Sequence, residues 1–383
     1  MAPHPVSDAV EESGSGATWR NERWASTMRG HESELAEVMT PHPRPPVLAG
    51  PYRALDRTER EGLELEQLMI GATRAHGAGT RAREEEPDEW RTCFERDRDR
   101  ILHSTAFRRL AGKTQVFIFP ADHQRTRLTH ALEVAQVATA VARACRLNVA
   151  LTEAIALGHD CGHGPGGHAS EEAFDAFLPG GFDHAVWGAD VTAAPLNLCR
   201  ETLDGIRNHS WSRPPPSTPE GEAVALADRI AYSAHDLEDA VHAGIVSVDD
   251  VPVTVARHCG LTRGRQLQTL ISDVVESTCR TGVVSMTPAA GDALAALRTF
   301  NYERIYLRDA SVEQSRRVIE MLRALVDYFA CRAGEMPAET ARLTDDPVLN
   351  AVAYVAGMTD RYACSQAVAR LDWSQDRLPR GAG

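Results

Sequence analysis

At 383 residues and 41.8 kDa the chain has room for one large domain or two of ordinary size, and its 43% hydrophobic content supplies a sizeable core. Acids outnumber bases 54 to 41, a formal charge of −13, which argues against an extended nucleic-acid surface because such surfaces need an excess of Lys and Arg. No run of about 18 apolar residues occurs, so no membrane span is expected, and eight cysteines without a C-x-x-C pair point to reduced thiols in a cytoplasmic protein.

Residues 1–55, rich in Pro, Ser, Gly, Glu and His, read as a largely disordered extension. A helical pattern runs from Asp56 to about His76 through Leu63, Leu65, Leu68 and Met69, and a polar linker, "GAGTRAREEEPDEW", completes residues 56–93. The main domain is expected over residues 94–260. Its "DRDR" run at 97–100 reads as an exposed, salt-bridged face. Apolar residues then recur at helical spacing: Leu128, Leu132, Ala135 and Ala138, and later Val224, Ala227, Ile230, Ala231 and Ala234. "VFIF" at 116–119 is the best candidate for a strand and is too short to found a sheet. Helices over about 262–281, 288–308, 311–333 and 346–370 make up a C-terminal part, 261–383, packing on the core. The fold class read from these patterns is all-α.

Eleven of the 15 histidines fall between His103 and His258, a concentration that metal or acid–base chemistry would use. In "LGHDCGHGPGGHASEEAF", residues 157–174, His159, Asp160, His163 and His168 are interleaved with four glycines that let the backbone bend close to a ligand. His130 shares a helix face with Val134, Val137 and Val141, so its imidazole points inward. Asp228 lies on a helix whose apolar residues face the core. A buried, unpaired carboxylate is costly, and a metal ion is one of the few partners that removes the cost. His130, His159, Asp160 and Asp228 together supply two nitrogens and two carboxylates from three segments. Such a set suits Mn, Fe, Mg or Zn with open positions, and disfavours a closed structural zinc site.

The blocks "FERDRDRILHSTAFRRLAGKTQVF", "RTRLTHALEVAQVA", "EAIALGHDCGHGPGGHASEEAF", "ETLDGIRNH", "ALADRIAYSAHDLEDAVHAGI", "FNYERIY" and "AVAYVAGMTDRYA" occur in this order between Phe94 and Ala363. Together they resemble the deoxyguanosinetriphosphate triphosphohydrolase (dNTPase) family of the HD superfamily. The resemblance implies an HD-domain helical bundle with additional C-terminal helices. It also implies hydrolysis of a deoxynucleoside triphosphate, dGTP or a broader set, to deoxynucleoside and inorganic triphosphate, with a divalent ion (Mn, Mg, Fe or Co). His130, His159, Asp160 and Asp228 match the family's metal ligands, His168 its catalytic histidine, and Glu171 the carboxylate beside it. Arg127 resembles a triphosphate-contacting arginine, while Gln115, Tyr232 and Asp236 resemble positions that read sugar and phosphates. His163 and His184 resemble histidines that face the phosphates or support the residues that do. A homo-oligomer and a nucleotide effector are the partners implied.

Chemically, His168 suits the general acid, because the departing 5′ oxygen needs a proton, and the arginines of residues 125–127 with Lys113 suit the phosphate grip. Three positions depart from the family pattern: Gly166 where a Phe is usual, Ala185 where an Asn is usual, and Ala353 at a frequent Asp. Two other readings stay open from the residues alone. One is an HD phosphohydrolase for nucleoside monophosphates or cyclic or alarmone nucleotides; the other is a nucleotide-sensing module without turnover.

Overall fold

The structure is a computed structural model and describes residues 15–32, 38–45, 53–120 and 124–380. Residues 1–54 and 55–383 form separate compact units. In the first unit Ser15–Thr27 is a helix, and His31–Glu32 pairs antiparallel with Met39–Thr40. The extension expected to be largely disordered therefore carries regular structure over part of its length; residues 1–14, 33–37 and 46–52 lie outside the described residues.

The chain is all-α, with sixteen α-helices and one pair of two-residue strands among the described residues. "VFIF" is a series of bends, not a strand. Phe119 takes a φ of 52°, which ends any extended run, and among the described residues the only pairing nearby is the bridge between Thr114 and Thr126. The helix expected from Asp56 to His76 stops at Gln67. Its buried residue is Glu61, whereas Leu65 and Met69 are exposed.

Three helices make the centre of the second unit. Arg127–Cys145 buries His130 on the same face as Val134, Val137 and Val141, as its spacing requires. Val149–Gly158 is apolar nearly all round and is buried accordingly; the side chain of Asn148 accepts a hydrogen bond from the Leu151 N–H at 3.1 Å and starts it. Pro219–His242 begins with a Thr218 cap and Pro at its first position. Asp97, expected on an exposed face, is fully buried: Arg81 pairs with it at 2.6 Å, and the Cys199 N–H and Thr202 hydroxyl each donate to it at 2.7 Å.

The core does not divide at 260. Leu270, Val274, Leu294 and Leu297, from helices Arg263–Thr281 and Pro288–Asn301, belong to the same apolar cluster as Val134 and Ile155. A second cluster takes most of its residues from Asp309 onward. In it the helices Asp309–Ala330, Pro347–Ala356 and Asp360–Leu371 bring Leu322, Phe329 and Val355 together with Phe174 and Phe182. The single helix expected over 346–370 is thus two, interrupted at residues 357–359, and Thr359 caps the second. Helix His168–Asp175 belongs to the second cluster, giving it Ala173 and Phe174. Among the described residues no helix is long and apolar enough to cross a membrane.

Candidate metal and phosphate site

His159 caps the C-terminus of Val149–Gly158, and its Nδ1–H donates to the Ala156 carbonyl at 2.7 Å. That bond fixes the tautomer and leaves Nε2 as a lone pair. The Nε2 atom is buried without a hydrogen-bond partner, 3.7 Å from Asp228 Oδ1 and 3.6 Å from Asp160 Oδ1. His130 Nε2 lies 3.0 Å from Asp228 Oδ1 and 3.8 Å from Asp160 Oδ2. Ligand atoms of His130, His159 and Asp228 all lie within 4.8 Å of one another. An orphaned imidazole nitrogen facing carboxylates is costly unless a cation takes its lone pair, so the donor set fits a divalent ion.

Asp160 is shared. Its Oδ2 accepts from Arg127 Nη1 at 2.8 Å and its Oδ1 lies 3.2 Å from His163 Nε2. Burial alone would raise its pKa, but the Arg127 guanidinium above all, with the imidazoles beside it, outweighs burial and holds the carboxyl well below the usual range.

Beside these ligands stands a second cluster of imidazoles. A Cβ on Gly162 would lie 2.0 Å from the His184 carbonyl oxygen, so only glycine lets this turn lie against the short helix His184–Trp187. The His163 and His184 rings stack at 3.7 Å. Glu171 accepts from His184 Nδ1 at 2.5 Å and from its backbone N–H at 3.2 Å, and its other oxygen is 3.1 Å from His168 Nδ1. Burial works against the Glu171 charge, yet the hydrogen bonds from His168 and His184 hold its pKa far below the carboxylate range. His184 is buried too, but Glu171 raises its pKa. The His184 Nε2 faces His209 Nε2 at 3.2 Å; burial, with the charges of His159 and His184, lowers His209 to about 4. His168 itself is largely exposed, with 73% of its side chain accessible.

These groups open onto a cavity of about 350 Å³. Arg127, Arg229 and Arg298 line it as well. Arg127 is buried, with Nε and Nη2 unpartnered. Arg229 and Arg298 form no salt bridge among the described residues; both donate to the Tyr232 hydroxyl, Arg298 Nε at 2.5 Å.

Residues 127–233 match the HD domain and residues 284–368 the phosphohydrolase-associated domain. The chain is 44% identical over 312 residues to the deoxyguanosinetriphosphate triphosphohydrolase-like protein of Caldanaerobacter subterraneus subsp. tengcongensis, covering 79% of this chain and 92% of that one. It is 38% identical over 337 residues to the protein of the same description from Desulfatibacillum aliphaticivorans, covering 81% and 96%. The chain belongs to the deoxyguanosinetriphosphate triphosphohydrolase-like family of HD-domain proteins. A solved structure of a hypothetical protein from Aquifex aeolicus is similar with a TM-score of 0.47 and 19% identity, covering 73% of this chain and 69% of that one. As an HD-domain member of this triphosphohydrolase-like family, the protein is a metal-dependent phosphohydrolase.

Of the site residues expected for this triphosphohydrolase-like chain, Gln115, Arg127, His130, Asp160, His163, His168, His184, Asp228, Tyr232 and Asp236 line the cavity, while His159 and Glu171 stand behind its wall. Two sequence expectations need correction. Lys113 does not reach the cavity; it is buried and its ammonium donates to the carbonyl oxygens of His163 and Ala356. Arg125 is not free for phosphate, because Glu133, Asp236 and Asp239 surround its guanidinium. Asp236 is correspondingly engaged, by Arg125 and by the Tyr306 hydroxyl. His209, Arg229, Arg298 and Tyr306 were not singled out by sequence. His209, Arg229 and Tyr306 lie inside the matching blocks "ETLDGIRNH", "ALADRIAYSAHDLEDAVHAGI" and "FNYERIY"; Arg298 falls just outside the last and carried no signal.

Proposed function

We propose that the protein hydrolyses deoxynucleoside triphosphates, dGTP or a broader set, to the deoxynucleoside and inorganic triphosphate. One observation carries the reading: a single cavity is lined both by Asp160 and Asp228, the carboxylates that the orphaned His159 Nε2 faces from behind the wall, and by Arg127, Arg229 and Arg298. One part suits a cation and the other a polyphosphate. The description shared by the relatives supports the same substrate class.

His130, His159, Asp160 and Asp228 would hold the ion. A divalent cation held there supplies positive charge for phosphate oxygens and acidifies water. Arg127 offers unpartnered N–H groups to the phosphates. His168, held at Nδ1 by Glu171, keeps Nε2 for the departing 5′ oxygen and delivers its proton. Glu171, itself held anionic by His184 and His168, orients that imidazole.

The test is incubation of the purified protein with each of the four dNTPs and Mn²⁺, Mg²⁺ or Co²⁺, with products followed by phosphorus NMR. Intact inorganic triphosphate is expected, and Asp228→Asn should abolish it together with stoichiometric metal in the protein. Orthophosphate or pyrophosphate as the only phosphorus product overturns the proposal.

A further inference from the structure

Trp211 lies two residues beyond His209, lines the cavity and is 48% exposed. It is not loose. Its indole N–H donates to the Ala225 carbonyl at 2.9 Å, which ties the ring to the helix Pro219–His242 one turn before Arg229. The Arg229 guanidinium lies over the ring, its carbon 3.6 Å from the ring centroid. This arginine forms no salt bridge among the described residues; the Tyr232 hydroxyl is its hydrogen-bond partner, and Arg298 lines the same cavity. A guanidinium without a carboxylate normally samples many rotamers, and an aromatic face restricts it while leaving its N–H edge free.

We propose that Trp211 is a positioning residue: it holds the Arg229 guanidinium flat against its indole so that the N–H edge points into the cavity and grips a polyphosphate chain. The inference rests on the reading of the cavity as a triphosphate site, and it extends that reading to a residue that need not touch substrate. The indole acts through Arg229, so the effects of removing either residue overlap.

Inorganic tripolyphosphate tests this without turnover. Its dissociation constant is measured by calorimetry for the full-length protein and for Trp211→Leu, Trp211→Phe, Arg229→Gln and the Trp211→Leu/Arg229→Gln pair, with circular dichroism verifying each fold. Trp211→Leu is expected to weaken binding about fivefold and Trp211→Phe to stay close to wild type, because an aromatic face remains. In the Arg229→Gln background Trp211→Leu should cost nothing more. Wild-type affinity in Trp211→Leu overturns the proposal, as does an undiminished effect in the Arg229→Gln background or an absence of tripolyphosphate binding by the wild type. Should Trp211→Leu fail to fold, Trp211→His and Trp211→Phe carry the comparison; equal weakening in both, with or without Arg229, also overturns it. Failure of the substrate reading looks different: no dNTP turnover, with tripolyphosphate binding and its dependence on Trp211 intact.

Discussion

His168 and Glu171 are three residues apart on one helix, which places both on one face, and Glu171 also takes a hydrogen bond from His184. If His168 delivers the proton, His168→Asn should lower kcat by about 10²–10⁴ while leaving KM and bound metal nearly unchanged. Steady-state kinetics with metal analysis checks this, and near wild-type turnover contradicts the role. Lys113, the single lysine, makes a second prediction at this scale. Burial pushes its amine down to about 8, from 10.5 in an open chain. Between those values the unfolded chain binds more protons than the folded one, so stability rises with pH across the window, by about 3 kcal/mol at most. In Lys113→Met this contribution is gone. The difference in urea-unfolding free energy, wild type minus variant, should therefore grow from about pH 7.5 to about pH 10.5; a flat difference rules the buried amine out as its source.

The loop at residues 163–167 is held by elements far away in sequence. The Asp360 carboxylate, at the start of Asp360–Leu371, accepts from Thr114 N–H at 2.9 Å, the Thr114 hydroxyl at 2.5 Å and the Gly166 N–H at 2.9 Å. Lys113 joins the His163 carbonyl to that of Ala356. Gly166 has a φ of 75°, and a Cβ there would come within 2.5 Å of Val318 in Asp309–Ala330. Glycine at this position therefore lets a C-terminal helix lie directly on the loop. After the break at 357–359, Asp360 opens the next helix under the Thr359 cap. Asp360→Asn replaces an acceptor with a donor facing donors. It should cost about 2–4 kcal/mol in urea unfolding and lower kcat through loss of loop position. Unchanged stability would mean that these bonds do not anchor the loop.

At the scale of the molecule, the C-terminal helices complete a core that the HD part opens but cannot close. Phe174 and Phe182 are buried among Leu322, Phe329 and Val355. A chain ended after Leu307 would leave those rings in water, so it should bind a hydrophobic dye and aggregate where the full chain does neither. A monomeric, dye-silent fragment contradicts this account of the second core. The charge of −13 argues only against a broad nucleic-acid surface; screening beyond about 8 Å leaves three arginines free to act inside one cavity.

Helix positions and the donor set were legible from sequence because their signals are local. The spacing of Val134, Val137 and Val141 turned His130 inward, and "HDCGHGPGGH" announced a turn crowded with ligands. The sequence could not say which charges were already taken. Arg125 and Lys113 look like phosphate-binding residues in isolation, and their partners Asp236, Asp239 and Ala356 lie more than 100 residues away. The break at 357–359 does carry local signals, Gly357 at the end of one helix and the Thr359 cap of the next, but the bonds of Asp360 to Thr114 and Gly166 are long-range. The sequence by itself determined which side chains can bind metal and move protons. Tertiary structure decided which of them keep polar atoms without a partner, as Arg127 does and Arg125, ringed by three carboxylates, does not.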